Sequence, residues 1–389
     1  MKSEWKRVRI ADVADVRRGA SPRPIHNFLS DEGMPWVKIA DATSKNSRYI
    51  AKTKEFIKES GVSASVVVVP ETLILSNSAT PGLPRIMKIQ ACVHDGWLVF
   101  GNYRNVERDF LYYLLTYVRP NLIGLANGSV FQNLKTDIVN RFEISLPPLS
   151  YQRKVAAILS SLDDKIENNS AICKNLEEQA AALYKSWFVD FEPFGGQLPK
   201  SWRERDIYSI AEVIYGAPFS SKLFNSEKRG VPILRIRDLK KQDSDVYTDE
   251  VHPKAYVISP GDIVVGMDGE FQPHIWGGVE GLLNQRVCVF RNMHPKGSFF
   301  LYFTILPQLN FIEKTEMATT VIHIGKKDFD AFRVLVPTDD VLEKFDALSD
   351  PMYKEIVSLR QENRRLFSLR DTLLPKLMSG EIDVDKVAI

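Results

Sequence analysis

The chain has 389 residues, too many for one compact core, so two or three domains are expected. Its opening, MKSEWKRVRIADV, is charged, and no stretch approaches the about 18 consecutive apolar residues of a spanning helix, so export and membrane insertion are not indicated and the expected compartment is cytoplasmic. The net charge of +2 is uneven: residues 1–149 carry 20 Lys and Arg against 14 Asp and Glu, so only this segment is an electrostatic match for phosphate.

In chain order, Trp5, Ile10-Ala11-Asp12, Ala14, Val16 and Gly19-Ala20 open a pattern that returns 197 residues later at Trp202, Ile207, Ala211, Val213 and Gly216-Ala217. The offset holds from Gly33 to Asp41 against Gly230 to Asp238, and then becomes 190. The first half therefore carries seven more residues after Asp41, expected in a loop. Pro70–Ser76 meets Pro260–Gly266, and Phe142–Pro147 meets Phe332–Pro337; these short runs, bounded by Pro or Gly, read as strands. Phe110–Val118 and Phe299–Leu306 read as helices.

Each half then enters a long amphipathic segment. Val155, Leu159, Leu162, Ile166, Asn169, Cys173, Leu176, Ala180, Leu183 and Trp187 recur at alternating steps of four and three, a heptad seam uninterrupted by Gly or Pro. Leu348, Met352, Ile356, Leu359, Asn363, Leu366, Arg370, Leu373 and Leu377 repeat the seam, which predicts that the two helices pair antiparallel. Asn169 and Asn363 stand where a hydrophobe is expected: either they set the register or they face partner subunits. Trp187, Phe188 and Phe191 read as packing against the second half. The fold class is α+β: two similar globular modules joined by two long antiparallel coiled-coil helices, a pseudo-twofold internal repeat. The boundaries are 1–148 (first module), 149–192 (first long helix), 193–339 (second module) and 340–389 (second long helix and tail).

The opening Trp5…Ile10-Ala-Asp…Gly19, the passage Leu146-Pro147-Pro148-Leu149…Gln152-Arg153-Lys154-Val155-Ala156, and the terminal Leu373-Leu374-Pro375-Lys376-Leu377-Met378-Ser379-Gly380 resemble the specificity subunit of a type I restriction-modification enzyme over essentially the whole chain. The second helical passage departs from the pattern at Pro337-Thr338-Asp339-Asp340. The resemblance implies that the modules are target recognition domains, each reading one half of a split, asymmetric double-stranded DNA target. It implies that the helices set the gap and dock two methyltransferase subunits, and through the complex the restriction and translocase subunits.

For DNA contact the candidates are polar loop clusters: Arg17, Arg18, Ser21 and Arg23; Asn77 and Ser78; Asn102 and Arg104; Asn127, Ser129, Gln132, Asn133 and Lys135. In the second module Tyr215, Ser220, Ser221 and Lys222, then Gln272 and His274, then Thr319, Thr320, His323, Lys326 and Lys327 occupy matching places. Arg and Lys serve phosphate or guanine, and Asn and Gln pair with adenine. Lys38 and Arg235, at equivalent strand positions, either contact phosphate or pair with a local carboxylate. Arg85 and Arg104 are ambiguous, and His94 reads as a core or turn histidine.

No phosphate loop, dinucleotide fingerprint, nucleophile elbow or zinc-protease motif occurs, and the only Pro-Pro pair, Pro147-Pro148, lacks the preceding Asn or Asp of an adenine methyltransferase. No cofactor is therefore expected on this chain, and S-adenosylmethionine belongs to the partner methyltransferases. Cys92, Cys173 and Cys288 lie far apart and no His-x-x-x-His occurs, so neither a disulfide nor a metal site is expected. The alternatives are a coiled-coil scaffold whose modules bind protein or another ligand, and a self-sufficient DNA methyltransferase.

Overall fold

The computed structural model describes residues 5–43, 47–126, 133–293, 297–316 and 323–384. They form two compact units, one of residues 1–167 with 366–389 and the other of residues 168–365. Each long helix is unbroken across the boundary: the first runs Leu149–Phe188 and the second Asp339–Met378, 40 residues apiece. At about 1.5 Å per residue each is roughly 60 Å long.

In the first unit the central sheet orders Asp15–Arg18, Trp97–Gly101, Leu73–Ser76, Pro84–Met87 and Tyr49–Ile50. Both faces are covered, which is why Leu73-Ile74-Leu75 is apolar without alternation: Leu73 and Leu75 join one core and Ile74 another. The first core takes Phe110, Leu111, Leu114 and Leu115 from the helix Arg108–Ala126, and Val155, Leu159, Leu377 and Met378 from the long helices. A second sheet packs Met34–Val37 and Ala91–Val93 in parallel at its middle, and the ribbon Lys6–Arg9 with Glu143–Leu146 closes the module.

The second unit repeats this plan. Its central sheet orders Ala211–Tyr215, Val287–Asn292, Ile263–Gly266 and Pro273–Ile275, and Ile263 and Val265 face one core while Val264 faces another. The helix Ser298–Glu316 matches Arg108–Ala126. Both helices run longer than expected because each carries its proline, Pro120 or Pro307, inside rather than at an end.

Two expectations are corrected. The additional residues after Asp41 are not merely a loop: they hold the strand Tyr49–Ile50, which pairs in parallel with Ile86-Met87 and has no counterpart among the described residues of the second module. Leu348 is not a seam residue, being 51% exposed, whereas Phe345, Ser349 and Tyr353 are buried. At that end the second helix packs on the module's own aromatic core, and this turns its buried face by one residue. Phe345 lies against Phe188 at 4.9 Å between ring centroids, and Phe188 and Phe191 lie 5.6 and 5.7 Å from Trp202, as expected for packing on the second module.

Within each unit the long helices run antiparallel. In the first, Tyr151 donates to the Leu377 carbonyl and Arg370 pairs with Asp163 at 2.7 Å. Asp163 also accepts from the Tyr113 hydroxyl at 2.6 Å, and that hydroxyl accepts from Arg48 at 3.0 Å. Arg48 further pairs with Asp164, so the residue just before the additional strand is fastened to the first long helix. In the second unit Asn169 donates to Asn363 at 2.9 Å and to Glu362 at 2.6 Å, while Asn363 donates to Ser170 at 3.1 Å. The asparagines thus face each other inside the seam, where a mispaired register would leave buried amides without partners.

Arg370→Met should expose the cost of the buried pair, since the Asp163 side chain is only 7% exposed and would keep its charge without its cation. A loss of about 3 kcal/mol is expected, measured as a drop in the urea midpoint, and adding Asp163→Leu should recover part of it.

Candidate nucleic-acid interface

In each module the central sheet ends at a cluster of loops whose backbone is tied by the same hydrogen bonds. In the first, Gly19 N donates to Trp97 O at 2.8 Å, Ala20 N to Val93 O at 3.3 Å, Asn77 N to Gly96 O at 2.8 Å and Leu134 N to Asn77 O at 2.8 Å. In the second, Gly216 N donates to Val287 O at 3.0 Å, Ala217 N to Leu283 O at 3.0 Å, Met267 N to Arg286 O at 2.8 Å and Ile324 N to Met267 O at 2.9 Å. Each donor and acceptor is displaced by the 197 or 190 of the sequence repeat. Glycine is required at the first tie: a Cβ on Gly19 would stand 2.2 Å from the His94 carbonyl oxygen, and one on Gly216 2.0 Å from that of Asn284.

On this shared backbone the first module builds a cluster around Asp95, a residue not singled out from the sequence. Ser21 donates to Asp95 Oδ1 at 2.8 Å, and Arg23 and Arg18 reach Oδ2 at 3.2 and 3.4 Å. Arg18 Nε and Asn77 Nδ2 donate to the Asp95 carbonyl at 2.8 and 3.0 Å. Burial opposes the charge of Asp95, but the Ser21 hydroxyl and the guanidiniums of Arg23 and Arg18 outweigh it and hold the carboxyl below its ordinary range. Arg18, Asn77, Asn133 and Lys135 line a shallow cleft. Ser78 is half-buried in the adjoining turn.

Other candidates sit elsewhere. Arg17 is exposed, but strand alternation puts it on the face opposite Arg18. Asn102 and Arg104 both bind Asp15 at 2.7 Å, and Arg104 also donates to the Asp12 and Ala11 carbonyls, so this pair braces the turn after Ile10–Val13. The two hydrogen bonds lower the pKa of Asp15. Lys38 pairs with Glu55 at 2.5 Å and Arg235 with Asp238 at 2.9 Å, as the local-carboxylate reading expects. Arg85 donates to the Ala42 carbonyl and is buried; His94 is a turn residue whose ring accepts from Gly96 N at 2.8 Å. Asn127, Ser129, Gln132, Thr319 and Thr320 lie outside the described residues.

The second module puts different side chains on the matching loops. Tyr215 stands where Arg18 does, Gln285 for Asp95, Asp268 for Ser78, Arg286 for Gly96 and His323 for Asn133. His323 lies 2.7 Å from Asp268, and Arg286 lies 2.8 Å from the same ring. Ser220 donates its backbone N–H to Glu250, Ser221 and Lys222 are exposed on the turn Ser221–Leu223, and Lys326 and Lys327 are exposed on the helix Lys326–Asp330. Gln272 donates to Asn310 at 2.8 Å. His274 lies in the strand Pro273–Ile275, where burial, with Arg360 and Lys240 adding to it, lowers its pKa to about 4. It is neutral near pH 7 and offers phosphate no cation. The signal that would have found Asp95 and Arg286 is their place: both sit in the turn entering the second strand of the central sheet, next to the glycine loop that is tied in both modules.

Among the described residues no group of His, Cys, Asp and Glu could hold a metal, and no helix is long and apolar enough to cross a membrane.

The model of the Type I restriction modification DNA specificity domain matches residues 2–178 and 199–350. The MjaIX specificity subunit of a type I restriction enzyme from Methanocaldococcus jannaschii is 25% identical over 409 aligned positions, covering 99% of this chain and 95% of that one. The EcoBI specificity subunit from Escherichia coli is 32% identical over 187 positions, 47% of this chain and 40% of its own length. The crystal structure of the S subunit of a type I restriction-modification system from M. genitalium superposes with a TM-score of 0.56 at 16% identity, covering 96% of both chains.

His274 gives a pH prediction with a definite sign. Its pKa falls from the ordinary 6.5 to about 4 on folding, so the folded state binds this proton less readily than the unfolded chain. Its contribution to stability is full above pH 6.5 and declines as pH falls through 6.5 towards 4. His274→Gln should flatten this part of the stability profile, measured by urea unfolding at stepped pH.

Proposed function

The chain belongs to the type I restriction-modification DNA specificity family, and from that premise we propose that its two modules read the two halves of one split, asymmetric DNA target. The observation that carries this reading is the repeated set of backbone hydrogen bonds under unlike side chains: Arg18, Asp95 and Asn133 in one module, Tyr215, Gln285 and His323 in the other. A scaffold would have no use for one loop frame dressed twice, whereas two readers of different sequences need it.

The chain itself is non-catalytic in this reading. It lacks the Asn/Asp-Pro-Pro loop of adenine methylation, so S-adenosylmethionine and the transfer step belong to two methyltransferase subunits, and cleavage to restriction and translocase subunits of a cytoplasmic complex. The Asp95 cluster, Lys135, Lys222, Lys326 and Lys327 meet DNA, while Lys38, Asn102, Arg104, Arg235 and His274 serve the fold. The modest net charge of +2 fits a complex in which partners supply much of the affinity for phosphate. The long helices set the gap between half-sites, because the chain passes from one module to the other through them.

Exchanging residues 1–148 for the equivalent module of a relative should change one half of the target and leave the other half and the gap intact, read as the methylated motif in the genome of a host carrying the complex. A change in both halves would refute independent reading.

Inserting one heptad into both long helices adds about 10.5 Å, or about three base pairs at 3.4 Å each, while keeping the seam in phase. The double-insertion protein should prefer DNA with the gap lengthened by about that amount, measured by competition among gap variants. Inserting the heptad into one helix alone should lower the melting temperature.

A further inference from the structure

The geometry points to Arg18 as a guanine-reading residue of the first module, with Asp95 as the positioning residue that aims it. The inference rests on the half-site reading above and adds a base identity to it. Arg18 is held along one edge only: Nε donates to the Asp95 carbonyl at 2.8 Å and Nη2 to its carboxylate at 3.4 Å. That leaves the end of the fork, Nη1 with the second hydrogen of Nη2, to present two parallel donors. The side chain is 59% exposed and lines the cleft with Asn77, Asn133 and Lys135. Guanine offers O6 and N7 as two adjacent acceptors on its major-groove edge, the match for such a fork.

Two observations separate this from a phosphate contact. Base reading depends on a fixed orientation, and here a carbonyl and a carboxylate hold Arg18 while Ser21 in turn holds that carboxylate. The cluster is also not needed for the fold. The second module makes the same backbone ties with Tyr215 at the place of Arg18 and Gln285 at that of Asp95, so the pair is particular to what the first module recognises. Arg23 touches Asp95 only through Nη2, is 71% exposed and is left as the looser cation for phosphate.

The test uses the full chain in complex with its co-expressed methyltransferase subunits, in a host whose genome is sequenced for adenine methylation. The wild-type motif should contain a guanine in the half that exchange of residues 1–148 reassigns. Arg18→Lys, which keeps the charge and loses the fork, should make that one position degenerate, with preference falling roughly ten- to hundredfold. Arg18→Gln should shift the same position towards adenine, and Asp95→Asn should relax it less. Arg23→Ala should lower methylation at all sites alike with the motif unchanged. Melting temperatures close to wild type would show that the variants fold, as expected for side chains this exposed. If Arg18→Lys and Asp95→Asn lowered methylation uniformly with the motif intact, Arg18 would be a phosphate contact and the assignment would fall while half-site reading stood. A wild-type complex with no sequence preference would overturn both.

Discussion

A helix of 40 residues with a single apolar stripe cannot stand in water alone, and the burial of two such stripes governs the rest of this structure. Each stripe is divided. Val155 and Leu159 of the first helix complete the core of one unit with Leu377 and Met378 of the second, whereas Ala180 and Phe188 complete the other with Phe345 and Ile356. Neither module has a finished core without both helices. The buried polar pairs, Asp163 with Arg370 and Asn169 with Asn363, contribute little net stability over hydrophobes, but they penalise any other register. The loops at the sheet ends are in turn held by strands that these cores fix.

Much of this plan was legible in the sequence, because its signals are periodic. The heptad seams gave both long helices, although the second begins at Asp339, well before its first seam residue, and the offsets of 197 and 190 located matching loops that the backbone ties then joined pair by pair. What escaped was decided by tertiary context. The strand Tyr49–Ile50 is two residues long and has no pattern of its own; it exists because Ile86 and Met87 offer an open edge and Arg48 is anchored on Asp164. Leu348 fits the heptad and still faces outward, since the aromatic cluster around Phe188 fixes the helix rotation there.

The candidate interface was legible as a set of loops and much less so as a set of side chains. Residue type alone cannot separate an arginine aimed outwards from one spent on the fold: Arg18 and Arg104 look alike in the sequence, and the difference lies in Asp95 and Asp15, which are distant in the chain. His274 sits in a polar-looking run of the sequence, yet it stands half-buried in the strand Pro273–Ile275, where burial lowers its pKa.

The division of the helices also bears on synthesis. Residues 168–365 form a unit from one continuous stretch of chain, while the unit begun by residues 1–167 is closed only by residues 366–384, where Tyr151 meets the carbonyls of Leu377 and Ile382. At about 5–20 residues per second the ribosome takes roughly 10–40 seconds to cross the intervening 198 residues. Throughout that interval the apolar face at Val155 and Leu159 has emerged and its cover has not, so the core of the first unit stays open until the whole of the second has been made.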